Sequence, residues 1–296
     1  MFLVKPSYQI LATSNIYSLP TNYDNSNDLI EVAGRTCYKS EAEITKNSSK
    51  KFVEMLKNRG HYAMIEHSWQ LRYYSTIDIP RYKFLNYMQV AYVGTVVAGN
   101  QRAFEEWDFE YKDKYVDVCT LNFDQIKNEK RWNMLSATVK FICDRGVSHE
   151  LVRHRIPAFA QESTRYCNYS KDKFQNQLAF IIPPWFNWMK EGEYSWGNHT
   201  PKGLSAAKHL DAWFWFKLLD EIERAYNYLI SEGQKPEQAR SILPNALKTE
   251  IVVSADLQEW KHIFKLRTAP TAHPQMRELM VPLYEDFKKL YPEVFE

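Results

Sequence analysis

The chain has 296 residues, of which 45% are hydrophobic and 15% aromatic, so it can bury a sizeable core and is not a disordered chain. Its formal net charge of +2 excludes a global basic field and, with it, unspecific coating of nucleic acid. No apolar run reaches the roughly 18 residues that a membrane span needs. The N-terminal residues lack the pattern of a signal peptide, and the four cysteines are scattered without a C-x-x-C pair. A reduced cytoplasmic protein is therefore expected, with neither a disulfide framework nor a structural zinc site.

The N-terminal half shows helix caps and β-branched runs separated by irregular segments. These signals predict, in chain order, a helix capped by Asn27 or Asp28, a helix from Ser48 or Ser49 to Gly60, a strand over 68–74, a strand over 90–97, a turn at Gly99-Asn100 and a short helix over 102–107. Residues 112–131 are charge-rich and expected to be exposed. The stretch 75–132 has too few apolar side chains for a core of its own, so it is interpreted as an insertion in a single domain spanning 1–296.

The C-terminal half carries clearer signals. They predict a strand over 137–143, a turn at 144–146, a helix capped by Ser148 that runs to Arg155, a short strand over 178–182, a long helix over 204–230, a helix opened by Pro236, a strand over 249–254, a helix begun by Asp256 with Glu259 at capping-box spacing, and a last helix over 274–290. Arg153-His154-Arg155 is thus expected at a helix C-terminus, leading into a loop that carries residues 161–166.

One stretch concentrates polar hydrogen-bond donors. Arg153-His154-Arg155 is followed, after seven residues, by Ser163-Thr164-Arg165-Tyr166. Arginine suits phosphates and planar carbonyl–imide edges because its N–H groups pair bidentately with oxygen acceptors. A solvated basic face would explain three cationic residues alone, whereas the extended pattern favours an anion-binding site.

Neighbouring residues suggest other chemistries that their spacing does not support. His149 and His154 are five residues apart, about 140° around a helix, whereas a zinc-protease helix needs two histidines four apart. Ser163 has no histidine placed beside it in sequence as a base, so a binding role is expected for its hydroxyl. A lone Cys167 is more typical of packing than of catalysis. Neither a Rossmann nor a P-loop glycine motif occurs.

The pattern Arg-His-Arg, seven residues, Ser resembles the signature of the flavin-dependent thymidylate synthases. The similarity continues in order through 57–67, 238–244 and 256–267, and covers most of the chain outside 75–132. The resemblance implies an α+β fold, a sheet flanked by long helices, assembled as a homotetramer with active sites at subunit interfaces. It also implies reductive methylation of dUMP to dTMP in the cytoplasm (or a host cytoplasm for a phage-encoded chain). The carbon donor would be 5,10-methylenetetrahydrofolate, the hydride carrier FAD, and the reductant NADPH.

The resemblance also implies site residues, position by position. The residues implied to bind dUMP are Glu150, Arg153, Gln161, Glu162, Ser163, Thr164, Arg165, Arg240 and Arg267. The residues implied to bind FAD are His61, Ala63, Arg153, His154, Arg155, Gln161, Asp256, Leu257, Gln258 and His262. Arg267 is implied to be catalytic, because a fixed guanidinium would stabilise negative charge developing on the uracil ring. No metal site is expected.

One position departs from the family pattern. Asp256 stands where asparagine is usual, and a carboxylate can accept hydrogen bonds and cap a helix but cannot donate as an amide does. The flavin contact at this position is therefore an open question in the sequence.

Two other classes of protein are open on the residues alone. One is a binder of single-stranded nucleic acid with basic loops and stacking aromatics, which the near-neutral charge disfavours. The other is a scaffold protein without chemistry. The colour of the purified protein separates these classes from a flavin enzyme.

Overall fold

The structure, a computed structural model, describes residues 1–14, 26–73, 90–93, 96–107, 123–197 and 199–295. The strands are β1 (Phe2–Val4), β2 (Ser7–Thr13), β3 (Trp69–Tyr73), β4 (Val90–Val93), β5 (Val96–Asn100), β6 (Ser136–Asp144), β7 (Ala158–Gln161), β8 (Ala179–Ile181), β9 (Gly192–Glu193) and β10 (Lys248–Asp256). The α-helices are α1 (Ser26–Tyr38), α2 (Ser48–Asn58), α3 (Gln101–Trp107), α4 (Phe123–Asn128), α5 (Arg145–Leu151), α6 (Leu210–Ser231), α7 (Pro236–Ala239), α8 (Leu257–Arg267) and α9 (Pro274–Leu290).

The main sheet is antiparallel and has the strand order β2-β6-β10-β7. The two nine-residue strands β6 and β10 pair along their whole length, from Lys248 opposite Asp144 to Asp256 opposite Ser136. Nearly every residue of β10 is buried, because helices cover both faces of the sheet. The predicted strands over 137–143 and 249–254 are confirmed.

Helices flank this sheet on its two sides. On one face, Leu29 and Val32 of α1 pack against Val252 and Ala160. On the other, the aromatic side chains of α8 and α9, including Trp260 and Phe287, join the main hydrophobic core. The fold is therefore α+β, a sheet flanked by helices, as predicted. Within the described ranges, no helix is both long and apolar enough to cross a bilayer.

Two smaller sheets complete the described part of the chain. Strand β1 lies between β8 and β9, and this sheet packs with the long helix α6 around a second core that includes Phe180 and Phe216. Strand β5 lies between β3 and β4. The turn predicted at Gly99-Asn100 is wrong, because both residues belong to β5, where they pair with Gln70 and Trp69.

The segment around the Arg-His-Arg triplet differs from its prediction. The helix begins at Arg145 and not at Ser148. Residues 144–146, which were predicted to form a turn, are the N-cap and the first two residues of this helix. Asp144 is buried at the end of β6 and caps α5 by accepting a hydrogen bond from the backbone N–H of Val147 at 2.7 Å. Helix α5 runs from Arg145 to Leu151, so the triplet follows the helix instead of forming its last turn. The predicted loop before Gln161 contains strand β7, which the pairing with β10 stabilises.

The other helix predictions are largely confirmed. Helices α2 and α9 have their predicted starts, and Gly60 follows α2 with the left-handed φ of 72° that suits glycine. The long helix begins at Leu210, six residues later than predicted, after a series of turns. Much of 75–132 lies outside the described residues. Its described part packs on the main core through Ile126 and Trp132, and its reading as an insertion stays a prediction.

Candidate active site

Arg267 is the centre of a polar cluster at the end of α8. The helix runs back along the main sheet for 11 residues, about 16 Å, and so brings its last residue to the end of α5. The Nη1 of Arg267 donates to Oε2 of Glu150 at 3.0 Å, and Nη2 donates to the backbone oxygen of Glu150 at 2.7 Å. Its Nε donates to Nε2 of His154 at 2.9 Å. These three bonds fix the guanidinium plane, and within the described ranges two of its five N–H groups have no partner and can bind a ligand.

The bond from Arg267 determines the state of His154. An arginine Nε–H can only donate, so Nε2 of His154 must accept, and the imidazole must be neutral with its hydrogen on Nδ1. His154 is buried, with 6% of its surface exposed. Its Nδ1 lies 3.7 Å from Oε1 of Glu259, and its ring meets that of His262 edge-on at 5.7 Å.

His154, Glu259 and His262 have the composition of a metal site. Their ligand atoms lie within 4.8 Å of one another. However, Nε2 of His154 is bonded to Arg267, so a metal would have to displace the hydrogen on Nδ1. That would leave the ring hydrogen on Nε2, pointing at the Nε–H of Arg267. The geometry therefore favours an anion-facing polar cluster over a metal centre.

Asp256 caps the helix that carries Arg267. Its Oδ1 accepts from the backbone N–H of Glu259 at 2.7 Å, as the capping-box spacing predicted. Burial raises the pKa of Asp256 to about 6, and the negative charge of Glu259 adds to this rise. Gln258 is exposed, whereas Leu257 has its side chain in the core and donates its N–H to Leu135. Leu257 can therefore reach a ligand only through its carbonyl group.

Gln161 is held at the end of β7, between α5 and β10. Its Nε2 donates to the hydroxyls of Ser148 at 2.8 Å and Thr249 at 3.2 Å. With both amide hydrogens directed at these hydroxyls, the amide oxygen is the polar atom that Gln161 offers to a ligand.

The next residue, Glu162, has a fully engaged side chain. Its carboxylate accepts from the hydroxyl of Tyr169 at 3.0 Å and from Nζ of Lys248 at 3.0 Å. Lys248 also binds Glu250, as does Lys39. Burial acts to raise the pKa of Glu250, but the surrounding lysines outweigh it and hold this pKa well below its usual range. The side chain of Glu162 thus anchors the loop to β10.

The loop 163–166 is open to solvent at its cationic end. Ser163 donates its backbone N–H to Cys37, and its hydroxyl accepts from the backbone N–H of Arg165. Thr164 is buried, whereas Arg165 is exposed and lies over the ring of Tyr166 at 4.7 Å. Among the described residues, no histidine or carboxylate is hydrogen-bonded to the Ser163 hydroxyl, and its binding role stays a prediction.

An aromatic pair joins the N-terminal segment to this loop. The rings of Tyr38 and Tyr166 lie 5.3 Å apart, and the Tyr38 hydroxyl is 3.4 Å from Nδ1 of His61. His61 and Ala63 are both exposed. Sequence reasoning named neither tyrosine as a site residue. Tyr166 directly follows Arg165 of the motif, so the sequence could have suggested it as a site residue. Its contact with Tyr38 depends on the fold and could not be predicted.

Three predicted arginines make no such contacts. Arg153, Arg155 and Arg240 are exposed, and their guanidinium groups form no hydrogen bond with the part of the chain that the structure describes. Arg153 and Arg155 flank His154 in sequence, whereas Arg240 follows helix α7, and all three guanidinium groups can bind an anion or contact another chain.

The described cysteines are poor nucleophiles. Burial raises the pKa of Cys37 and of Cys167 to about 12, and raises that of Cys143 further. Since the thiolate is the reactive form, none of these three supplies a cysteine nucleophile at neutral pH.

The fold is α+β, and the site combines the fixed guanidinium of Arg267, the neutral imidazole of His154 and three exposed arginines. Such a combination is suited to binding a planar anionic ligand. The sequence model of the thymidylate synthase complementing protein family matches residues 90–293. The chain therefore belongs to this family, that of the flavin-dependent thymidylate synthases.

Curated relatives carry the same family name. The flavin-dependent thymidylate synthase of Pyrococcus furiosus is 32% identical over 148 residues, 50% of this chain and 52% of its own length. That of Thermococcus kodakarensis is 29% identical over 214 residues, 71% of this chain and 79% of its own. That of Geobacter sulfurreducens is 30% identical over 151 residues, 51% of this chain and 55% of its own. The chain thus spans about half the length of the first and third relatives.

A solved structure is also similar in outline. The UMP/dUMP methylase PolB from Streptomyces cacaoi, bound with 5-Br dUMP, has 15% sequence identity and a TM-score of 0.46 over 100% of this chain and 95% of its own. This similarity is too weak to assign a shared fold.

Proposed function

We propose that this protein methylates dUMP to dTMP reductively, with 5,10-methylenetetrahydrofolate as the carbon donor, FAD as the flavin and NADPH as the reductant. The observation that carries the proposal is the triply bonded Arg267 in a chain of this family. A planar pyrimidine ring that gains negative charge needs a fixed donor, and this guanidinium keeps two N–H groups for it.

The described residues fit an FAD cofactor. Arg153 and Arg155 have free guanidinium groups for a diphosphate, and His154 offers a buried edge beside exposed His262. Bound there, FAD would supply the two-electron hydride chemistry of the reaction. The protein would contribute binding, orientation and the positive field of its arginines.

The dUMP would be held by the residues between Arg267 and the loop. Gln161 presents its amide oxygen, which suits an N–H of a pyrimidine, and Arg165 presents an exposed guanidinium for the phosphate. Glu150 orients Arg267, so its contribution to dUMP binding would pass through that contact. Arg240 would join the site from its exposed position after α7.

A homotetramer is part of the proposal, and helix α6 supports it. Leu210, Phe214, Leu218 and Tyr228 are 54–63% exposed and lie within about 80° of one another around the helix. An exposed apolar stripe of this width favours contact with another protein surface. The paired substitution Phe214→Glu with Leu218→Glu should reduce the mass measured by light scattering, and Val281→Glu on α9 is the matched control. An unchanged mass in the pair would exclude this face from the assembly.

We further propose a cytoplasmic (or host-cytoplasmic) enzyme of a single domain with 75–132 as an insertion, acting on small molecules and not on nucleic acid. The near-neutral charge supports the last point.

Two measurements test the proposed function. The purified protein should be yellow, and its flavin spectrum should change when dUMP is added. The second measurement is dTMP formation from dUMP with methylenetetrahydrofolate and NADPH. A colourless protein that neither takes up FAD nor forms dTMP would refute the proposal.

A further inference from the structure

Glu259 lies behind the cluster, one contact removed from Arg267. It is buried, with 7% of its surface exposed, and sits in the first turn of α8. Its Oε1 is 3.7 Å from Nδ1 of His154, whose Nε2 accepts from Nε of Arg267 at 2.9 Å. One imidazole thus separates a buried carboxylate from the guanidinium.

The imidazole can link these two groups in only one tautomer. Arg267 requires an unprotonated Nε2, so the hydrogen must be on Nδ1, the atom that faces Glu259. With the hydrogen on Nε2 instead, two N–H groups would point at each other, and the bond to Arg267 would be lost. A carboxylate on the Nδ1 side favours the first arrangement, because its buried oxygen is an acceptor that faces the Nδ1–H.

We propose that Glu259 is a positioning residue that holds Arg267 in place by fixing the tautomer of His154. Its catalytic consequence rests on the proposed function, whereas the tautomer itself does not. A buried carboxylate is costly to keep in a core, and this one lies beside a second buried carboxyl, Asp256. The contact with His154 gives the acceptor oxygen of this costly group a role.

The tautomer is tested directly by ¹⁵N NMR of protein labelled in its histidine rings. The His154 signal is assigned by its loss in His154→Gln. Wild type and Glu259→Gln, which keeps an acceptor oxygen, should both show hydrogen on Nδ1. Glu259→Met, similar in length but without an oxygen acceptor, should show hydrogen on Nε2 or a mixture. If the Glu259→Met variant does not fold, Glu259→Ala is measured in its place.

The effect on Arg267 is tested by turnover. At saturating dUMP, Glu259→Met should lower kcat on the order of tenfold, less than the roughly hundredfold expected when a preorganised donor is removed outright. Glu259→Gln should stay within about twofold of wild type. In a His154→Gln background, Glu259→Met should have no further effect, since two residues that act through one contact are not additive.

Three results would overturn the proposal. They are a wild-type His154 with hydrogen on Nε2, a Met variant with wild-type tautomer and kcat, and a Gln variant that falls as far as the Met variant. The last would indicate a need for charge or shape and not for an acceptor. If wild type forms no dTMP at all, the proposed function fails, and the NMR result alone decides the role of Glu259.

Discussion

Asparagine in place of Asp256 should stabilise the protein, and more so at higher pH. Burial raises the pKa of this carboxyl from 3.8 to about 6, with a smaller rise from the charge of Glu259. Between these two values the folded protein binds more protons than the unfolded chain. Stability therefore falls as pH rises from about 4 to about 6, and the loss is complete above the folded pKa.

The magnitude follows from the size of the pKa change. At about 1.4 kcal/mol per pKa unit, the ionised Asp256 costs about 3 kcal/mol of unfolding free energy at pH 8 and about 1.5 kcal/mol at pH 5. An asparagine keeps the oxygen that accepts from the Glu259 N–H, so the helix cap is preserved. The variant Asp256→Asn should thus gain about 3 kcal/mol at pH 8 and about half of that at pH 5.

The assay is urea unfolding followed by tryptophan fluorescence, at one protein concentration and at both pH values. Asp211→Asn, an exposed acid in the first turn of α6, is the matched control and should show no such pH-dependent gain. A gain that is equal at pH 5 and pH 8, or a loss at pH 8, would refute the reasoning. The same variant restores the amide usual in the family, so its FAD affinity at pH 8 should be at least that of wild type.

Substitutions at the other proposed contacts separate binding from catalysis. Arg155→Ala should lower FAD occupancy, measured by absorbance, without loss of the folded oligomer, and full retention of FAD would count against the assignment; Arg131→Ala is the control. Ser163→Ala should raise KM for dUMP and leave measurable turnover, and a covalent nucleotide–Ser163 adduct in mass spectrometry would contradict this. Arg267→Ala should lower kcat about a hundredfold, or about 3 kcal/mol, more than it lowers flavin binding. Wild-type turnover with a lower melting temperature would leave Arg267 only a structural role, through its bonds to Glu150 and His154 and through the helix dipole, which is worth about 1 kcal/mol.

Local signals in the sequence were enough to predict the helix that carries the site. Asp256 and Glu259 have the spacing of an N-cap and its third residue, and α8 begins there. Pro274 likewise marks the start of α9. Such signals depend on residues within one helical turn, so they can be recognised in the sequence without knowledge of the fold. The family pattern in 153–165 was also local, and the predicted site residues of that stretch were taken from it.

Only the tertiary structure decided how those residues meet. Strand β7 has the sequence Ala-Phe-Ala-Gln, which is too short to show a period, and it becomes a strand because β10 pairs with it. Arg267 reaches Glu150 across 117 residues of chain. Lys248 likewise anchors Glu162 from a distant segment. The bond from Arg267 that determines the tautomer of His154 also joins distant segments. No local pattern encodes them, because their energy depends on distances and burial that exist only once the sheet has formed.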